Sequence, residues 1–394
     1  MSDSSSRPIP GPALFALLIA MSAVGPLALN IFIPSMPGLQ REFEASHGTV
    51  QLTLTLYLVG MAVCQLFYGP LSDRYGRRPL VLAGLSLFVV SNLAAALATS
   101  IHMLIAARLV QAMGGAAGIV LARTIVRDLY DRDKSASVIG YITMAFVLAP
   151  MIAPSLGGLL DMVASWRASF WVLTALGGIV LAAAWMGLPE TNLSLSRTPL
   201  LSLRNFIHLL RLRRFRGYAL TLGLASSVFF SFLAGAPFVT IELLGRTPLE
   251  YGLWFLLISF GYMSGNYLTG RYSQAVGIDR MITIGNMLTL AGGLSCLFGA
   301  LVGLLSPASL FLPMMVAAFG NGLTIPNGTA GAISVDMTMV GAAAGLAGFL
   351  QMGLGAGASQ FVGTIQSDFP LAVFWYMAAA SLAAAASHAW SRRT

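Results

Sequence analysis

Gly69-Pro70-Leu71-Ser72-Asp73-Arg74-Tyr75-Gly76-Arg77-Arg78-Pro79 ends one apolar run, 49–71, and opens the next, 80–99. Charge is scarce in this chain, at 9% of residues, yet the turn holds one carboxylate and three guanidiniums. Each flanking run is about as long as a helix that crosses a ~30 Å hydrocarbon core. A short, charged, glycine-bearing connection between two such runs makes them membrane-crossing helices joined at one surface.

The same pattern extends along the chain. Hydrophobic residues make up 57% of the 394 positions and the mean hydropathy is +0.81, against about 45–50% apolar residues in soluble domains. Apolar runs fall at 12–35, 49–71, 80–99, 102–125, 136–160 and 166–188, then at 217–241, 249–271, 278–304, 308–331, 339–364 and 369–390. Six plus six spans predict an all-α polytopic membrane protein. The run after Arg7 is too long for a signal-peptide core and reads as an uncleaved first span. Cys64 and Cys296 are isolated and apolar in setting, with neither a disulfide framework nor metal spacing. No metal or other cofactor is expected, and no nucleophile–base pair or phosphate loop points to an enzyme.

A net charge of +8 would suggest nucleic acid in a soluble protein; here its distribution argues for topology. With both termini in the cytoplasm, 18 of the 22 Lys and Arg residues fall at or near that side, leaving Arg41, Arg167 and Arg246 outside and Arg108 within a span. This asymmetry obeys the positive-inside rule. The one long connection, 190–216, separates a first bundle (1–189) from a second (217–394). Leu201 to Phe215 mixes Leu, Phe and Arg at helical spacing and reads as an amphipathic surface helix, or else as a disordered basic linker.

Gly69 to Arg78 resembles the signature loop of the major facilitator superfamily, Gly-x-x-x-Asp-(Arg/Lys)-x-Gly-Arg-(Arg/Lys). Arg108-Leu-Val-Gln111-Ala-Met-Gly114 is similar to the fourth-span pattern of its drug:proton antiporters. Ala149-Pro150-Met-Ile-Ala153-Pro154-Ser-Leu-Gly157-Gly158 resembles that group's antiporter motif. Val126-Arg127-Asp128-Leu129-Tyr130 and Ala236-Pro237-Phe238-Val239 are similar to the bicyclomycin/chloramphenicol resistance branch. The resemblance implies twelve transmembrane helices in two pseudo-symmetric six-helix bundles. It also implies proton-driven efflux of small amphipathic drugs by alternating access, in a monomer of the bacterial inner membrane. The expected partners are the small-molecule substrate, protons and the lipid bilayer, with no nucleic acid. An alternative is an exporter or facilitator of an anionic or zwitterionic metabolite held by Arg108.

Several residues follow as candidates. Gly69 would let the second and eleventh spans approach closely; Asp73 would cap a helix dipole and accept from Arg77 or Arg78; Asp128 is the expected partner of Arg77. With Arg74 and Gly76 these form a gate, or they only anchor topology. Pro150, Pro154, Gly157 and Gly158 make the fifth span a bent, small-faced helix, as a hinge or for close packing against the second half. Substrate contacts are expected from Asn30, Tyr57, Arg108, Gln111, Met144, Phe230 and Gln351, because polar groups at membrane depth avoid lipid and a pocket lined by methionine and aromatic residues suits bulky amphipathic ligands. Met61, Gln65, Phe229, Phe232, Trp254, Phe255, Asn321 and Asn327 are weaker candidates.

The resemblance also implies a first-span carboxylate, in Asp-(Met/Ile)-Tyr-(Leu/Ile)-Pro, where this chain reads Asn30-Ile31-Phe32-Ile33-Pro34. Ser22 stands where some relatives carry a second acid, and all 14 Asp and Glu residues map to loops or span ends. The coupling candidates are therefore Asn30, Ser22, Arg108 and Glu242. Three explanations stay open: an Asp-to-Asn replacement made to trap one conformation, a proton carried by Glu242 or Asp161, or transport without protons with Arg108 unopposed.

Overall fold

In the computed structural model, residues 11–129, 149–192, 203–336, 339–366 and 368–392 are described. Met144 and the start of the fifth span lie outside them. Helix α1 (Pro12–Asn30) passes through a 3-10 turn, Ile33–Ser35, into α2 (Met36–Glu42), and the two form one span. The first half continues with α3 (His47–Tyr75), α4 (Arg77–Ala96), α5 (Ile101–Leu129), α6 (Ala149–Val163) and α7 (Trp166–Gly187). A short helix, α8 (Leu203–Arg211), lies inside the expected connection. The second half holds α9 (Arg213–Pro237) with a π turn at Phe238–Leu243, then α10 (Pro248–Val276), α11 (Ile278–Leu301), α12 (Pro307–Ser334), α13 (Val340–Ile365) and α14 (Ala372–Arg392). Ten of these spans are long and apolar enough to cross a bilayer without further argument; α6 and the 29-residue α10 complete the twelve.

The first span of each half leaves α-geometry in the same region, and proline is the cause. Pro34 has no N–H for the Asn30 carbonyl four residues back, and Pro237 ends α9 where the π turn starts. Both spans are central: 67% of the apolar window of the first and 78% of that of α9 are buried, against 28% for the peripheral α7.

In lipid there is little hydrophobic force between helices, so contact relies on small residues and interhelical hydrogen bonds. A Cβ on Gly25 would lie 3.0 Å from the Gly115 carbonyl oxygen, and one on Gly292 2.5 Å from that of Pro313. Asn321 Nδ2 donates to the Ala225 carbonyl at 3.1 Å, tying α12 to α9. Thr269 Oγ1 donates to the Gly322 carbonyl at 3.0 Å, tying α10 to α12. Cys64 and Cys296 are free and buried.

The junctions α3–α4 and α10–α11 are each a single glycine. Gly76 has φ 94 and ψ 157, and Gly277 has φ 91 and ψ 144. Each N–H closes the preceding helix onto a serine carbonyl four residues back, Ser72 at 3.1 Å and Ser273 at 2.9 Å. That left-handed φ favours glycine, and the repeated geometry makes the pseudo-symmetry of the halves visible at backbone level.

The halves meet along α3 and α13 and part toward the arginine-rich end. Gln51 Nε2 donates to Ser359 Oγ at 2.5 Å, Thr55 Oγ1 to Gln360 Oε1 at 3.0 Å, and Gln360 Nε2 to the Gly48 carbonyl at 3.2 Å. His47, buried at the head of α3, packs its ring edge-on to Phe238 of the other half, centroids 5.3 Å apart. Farther down, a Cβ on Gly345 would still touch Leu66 at 3.6 Å, but one on Gly69 or Gly341 would meet nothing within 4 Å. The close approach expected at Gly69 is therefore absent in this conformation, because the helices diverge before reaching it.

Candidate functional site: a cavity between the halves

A cavity with about 940 Å³ of empty space, its open mouth included, lies where the two central spans face each other. The first half contributes Gly25, Pro26, Leu29 and Asn30 from α1, Leu58 and Met61 from α3, and Pro150 from α6. The second half supplies Ser226, Phe229 and Phe230 from α9, Phe255, Ile258, Ser259 and Tyr262 from α10, Asn321 from α12, and Gln351 and Met352 from α13. Aromatic, methionine and aliphatic surface dominates, with a few amide and hydroxyl groups, a composition suited to a small amphipathic ligand. Of the sequence candidates, Asn30, Phe230 and Gln351 are on the wall, with Met61, Phe229, Phe255 and Asn321 from the weaker set. Gln351 Nε2 donates to Ser226 Oγ at 2.8 Å. Phe232 instead packs edge-on to Phe311, at 5.6 Å, within the second half.

Tyr57, Arg108 and Gln111 do not line the cavity. All three are fully buried behind α1. Arg108 Nη1 donates to the Ala28 carbonyl at 2.8 Å and to Gln111 Oε1 at 2.5 Å, and Gln111 Nε2 donates on to Asn92 Oδ1. The guanidinium carbon sits 4.2 Å from the Phe32 ring centroid and 4.3 Å from that of Tyr57. Tyr57 holds the wall from behind, donating its hydroxyl to the Gly25 carbonyl at 2.8 Å. Arg108 makes no ion pair among the described residues, and its Nε and Nη2 have no hydrogen-bond partner. Two ring faces and carbonyl dipoles hold the charge, as cation–π geometry allows. A role for Arg108 in touching an anionic substrate thus lacks the required geometry here.

Asn30 is 1% exposed. Its Nδ2 donates to the Pro26 carbonyl at 2.8 Å, which fixes the amide orientation because a carbonyl only accepts. Oδ1 is left buried without a partner. An ionised carboxylate at position 30 would face the Pro26 carbonyl with like partial charge, whereas a protonated one would restore the bond through its O–H. Asn30 therefore has the hydrogen bonding of a proton-loaded acid. Ser22 turns back to the Leu18 carbonyl at 2.9 Å on its own helix. Glu242 is away from the cavity, paired across the halves with Arg41 at 3.8 Å and partly exposed.

At the arginine-rich end, Arg77 Nη1 lies 2.6 Å from Asp73 Oδ1 and Nε 2.9 Å from Asp128 Oδ2, with Ser72 Oγ also accepting from Nη1. Asp128 is thus the partner expected from sequence. Asp73 does not cap a helix; Glu190 does. Its carboxylate accepts the backbone N–H groups of Arg77 at 2.9 Å and Arg78 at 3.1 Å, in the first turn of α4, and those of Thr191 and Asn192, each at 2.9 Å. Burial opposes ionisation of Glu190, but the four donors outweigh it and hold its carboxyl below the ordinary value. Arg78 Nη2 donates to the Trp185 carbonyl at 2.9 Å, while Arg74 is exposed beside Tyr75. Sequence reasoning missed Glu190; its one signal was an isolated acid at the head of a stretch rich in arginine.

The opposite end is closed partly by the proline–glycine segment of α6. Ser155 Oγ donates to the Gly252 carbonyl of α10 at 2.8 Å. A Cβ on Gly252 would stand 2.5 Å from the Pro154 oxygen and 2.6 Å from the Ser155 Cα. Gly158 faces the Pro248 carbonyl of the second half, and Gly157 that of Ile31 in the first span. Backbone lies on backbone here, with no room for a side chain.

Residues 18–360 match the family profile described as Major Facilitator Superfamily. The chain is 33% identical over 343 residues to "Multidrug resistance protein D" of Escherichia coli (strain K12), covering 86% of this chain and 85% of that protein. It is 28% identical over 363 residues to the "Bicyclomycin resistance protein homolog" of Haemophilus influenzae, covering 91% of each. Among solved structures, the fold is similar to that of a D-xylose-proton symporter, with a TM-score of 0.77 at 14% identity over 97% of each chain.

Proposed function

Because the chain belongs to the Major Facilitator Superfamily, on the branch of the bicyclomycin and chloramphenicol resistance proteins, we propose that it exports small amphipathic molecules by alternating access. It is a multi-pass membrane transporter and not an enzyme. The bacterial inner membrane is the proposed location, with both termini and the arginine-rich end in the cytoplasm. In that orientation the structure is the cytoplasm-facing state, with units 1–189 and 217–394 rocking about the cavity and 190–216 linking them. The observation that carries this reading is the apolar cavity between the central spans, with the halves sealed at one end and parted at the other. The names of the relatives support drugs as the substrate class.

Position 30 is assigned as the place where a carboxylate would exchange the proton, a group Asn30 does not supply. With Asn30 the neutral, proton-loaded hydrogen bonding is permanent, which favours one conformation and removes the step that the membrane gradient drives. The cluster of Asp73, Arg77, Asp128 and Glu190 is assigned to the cytoplasmic gate, and Pro150, Pro154, Gly157 and Gly158 to the outer seal. The test is flux in proteoliposomes with an imposed pH gradient. Asn30→Asp is expected to confer substrate-driven proton release, while the present chain exchanges substrate without it. Equal proton release from both proteins would remove position 30 from the mechanism; no saturable substrate flux from either would remove the export reading.

A further inference from the structure

The start of α9 holds a pattern that the transport cycle does not use. Arg213, Arg214 and Arg216 all fall in its first turn, with no acid among them. Cations there face the positive end of the helix dipole, so the pattern is unfavourable until an anion joins it. The packing supplies none. Arg213 Nη2 donates to the Trp390 carbonyl of α14 at 2.7 Å. The guanidinium carbons of Arg213 and Arg216 stand 5.1 and 5.4 Å from the centroid of that one indole. Neither arginine makes an ion pair among the described residues. An apolar groove leads away from this pair. α14 packs on α9 at Gly217, where a Cβ would collide with Ser391, and α13 packs at Gly223, where one would collide with Leu354. Between those contacts Leu220 is 41% exposed. It lies nine residues before Phe229 of the cavity wall and so on the opposite face of the helix. On α14, Leu382, Ala386 and Trp390 share one face at intervals of four, and all three are exposed. The stretch from Leu382 to Trp390 rises about 12 Å, from hydrocarbon depth to the membrane surface where tryptophan settles.

We propose that this groove binds one anionic phospholipid of the leaflet at the arginine-rich end. Its phosphate lies between Arg213 and Arg216 beside the Trp390 indole, and an acyl chain runs along Leu220 and Leu382. The phosphate takes charge-assisted bonds from both guanidiniums and offsets their repulsion by each other and by the helix dipole. The apolar strip continues the headgroup site into the hydrocarbon. A lipid therefore fits its whole length, where a free phosphate meets only the arginines. A zwitterionic headgroup brings its own cation to the pair and gains less. The groove lies on the outer face of α9, so the inference is independent of the export reading and of the cavity.

Native mass spectrometry of the purified full-length protein, titrated with phosphatidylglycerol or phosphatidylcholine of the same acyl chains, resolves single bound lipids. The first phosphatidylglycerol should bind at least about tenfold tighter than the first phosphatidylcholine. Arg213→Gln and Arg216→Gln should each weaken phosphatidylglycerol about 5-fold and leave phosphatidylcholine unchanged. Arg216 is exposed, so its variant carries the test even where Arg213→Gln, which also loses the bond to Trp390, melts early. Arg271→Gln is the control, an exposed arginine at the same end, 5.8 Å from the Tyr272 ring centroid; it should change neither lipid. Equal affinity for the two lipids in the parent overturns the proposal. An equal loss in Arg271→Gln also overturns it and leaves only diffuse attraction to the basic surface. Displacement of the bound lipid by millimolar glycerol phosphate would place a free phosphate there and overturn the lipid reading.

Discussion

Gly252→Ala is the smallest change that should force the sealed end apart. In the structure the added methyl would lie 2.5 Å from the Pro154 carbonyl oxygen and 2.6 Å from the Ser155 Cα, and both obstacles are backbone. Ordinary carbon contacts begin near 3.5 Å, so α6 and α10 must separate by about 1 Å. Overpacking of this kind costs about 1–3 kcal/mol. The cost falls only on the conformation in which these helices touch, so the equilibrium should move about 5- to 150-fold toward opening at that end. Spin labels at Val163 and Leu243, which are 70% and 45% exposed, report the separation by pulsed electron resonance in nanodiscs. A single short distance in the parent should give way to a dominant longer one. Gly270→Ala, on the same helix with no atom within 4 Å of the added carbon, is the control. An unchanged distribution in Gly252→Ala, or the same shift in Gly270→Ala, would refute the reasoning.

Other expectations concern the arginine-rich end and the buried cation. Glu190→Gln should lower stability by about 0.5–1.5 kcal/mol at neutral pH, because the amide nitrogen that replaces Oε2 cannot accept from the Arg78 N–H, the bonds to Oε1 become neutral, and solvent screens this exposed site. Because the Glu190 carboxyl is held below its ordinary 4.5, its contribution is complete above that value and lost as pH falls through the lowered one. Melting curves of the two proteins should therefore converge only in acid. Gly76→Ala and Gly277→Ala share the strain of a left-handed φ, about 1 kcal/mol. Gly76→Ala should melt lower still, because its Cβ would stand 2.5 Å from Glu190 Oε2 while that of Gly277 meets nothing within 4 Å; equal melting temperatures would count against the Glu190 clamp. Arg108→Met should leave stability within about 1 kcal/mol of the parent, because losing an unneutralised buried charge offsets the lost bonds to Ala28 and Gln111. A melting drop like that of a core truncation would show that the guanidinium is a net stabiliser.

The spans were legible because hydropathy over about 20 residues is a one-dimensional signal, and each expected run coincides with a helix wherever residues are described. The pairing of Arg77 with Asp128 was legible because scarce charges near one surface have few partners. What sequence did not reveal was azimuth. A soluble helix reveals its buried face by its polar one, but α3 and α5 carry no continuous polar face, and nothing in their periodicity says that Tyr57 and Arg108 look away from the cavity while Met61 looks in. The same blindness hid Ser259, one hydroxyl among many. Gly69 misled for another reason: small size permits a close helix contact but does not create one, and here the helices diverge before reaching it. Glu190 was missed because its four partners are backbone N–H groups, which every sequence possesses equally.

The seal between α6 and α10 has a kinetic consequence. Carbonyls resting in glycine notches have no interlocked rotamers to disengage, so that surface parts smoothly and adds little to the barrier for opening. The barrier falls instead on the directional bonds between the halves, Gln51 to Ser359, Thr55 to Gln360, Gln360 to Gly48 and Ser155 to Gly252. Opening of that end should then be set by a few hydrogen bonds at the rim, adjustable brakes on a surface that otherwise parts with little friction.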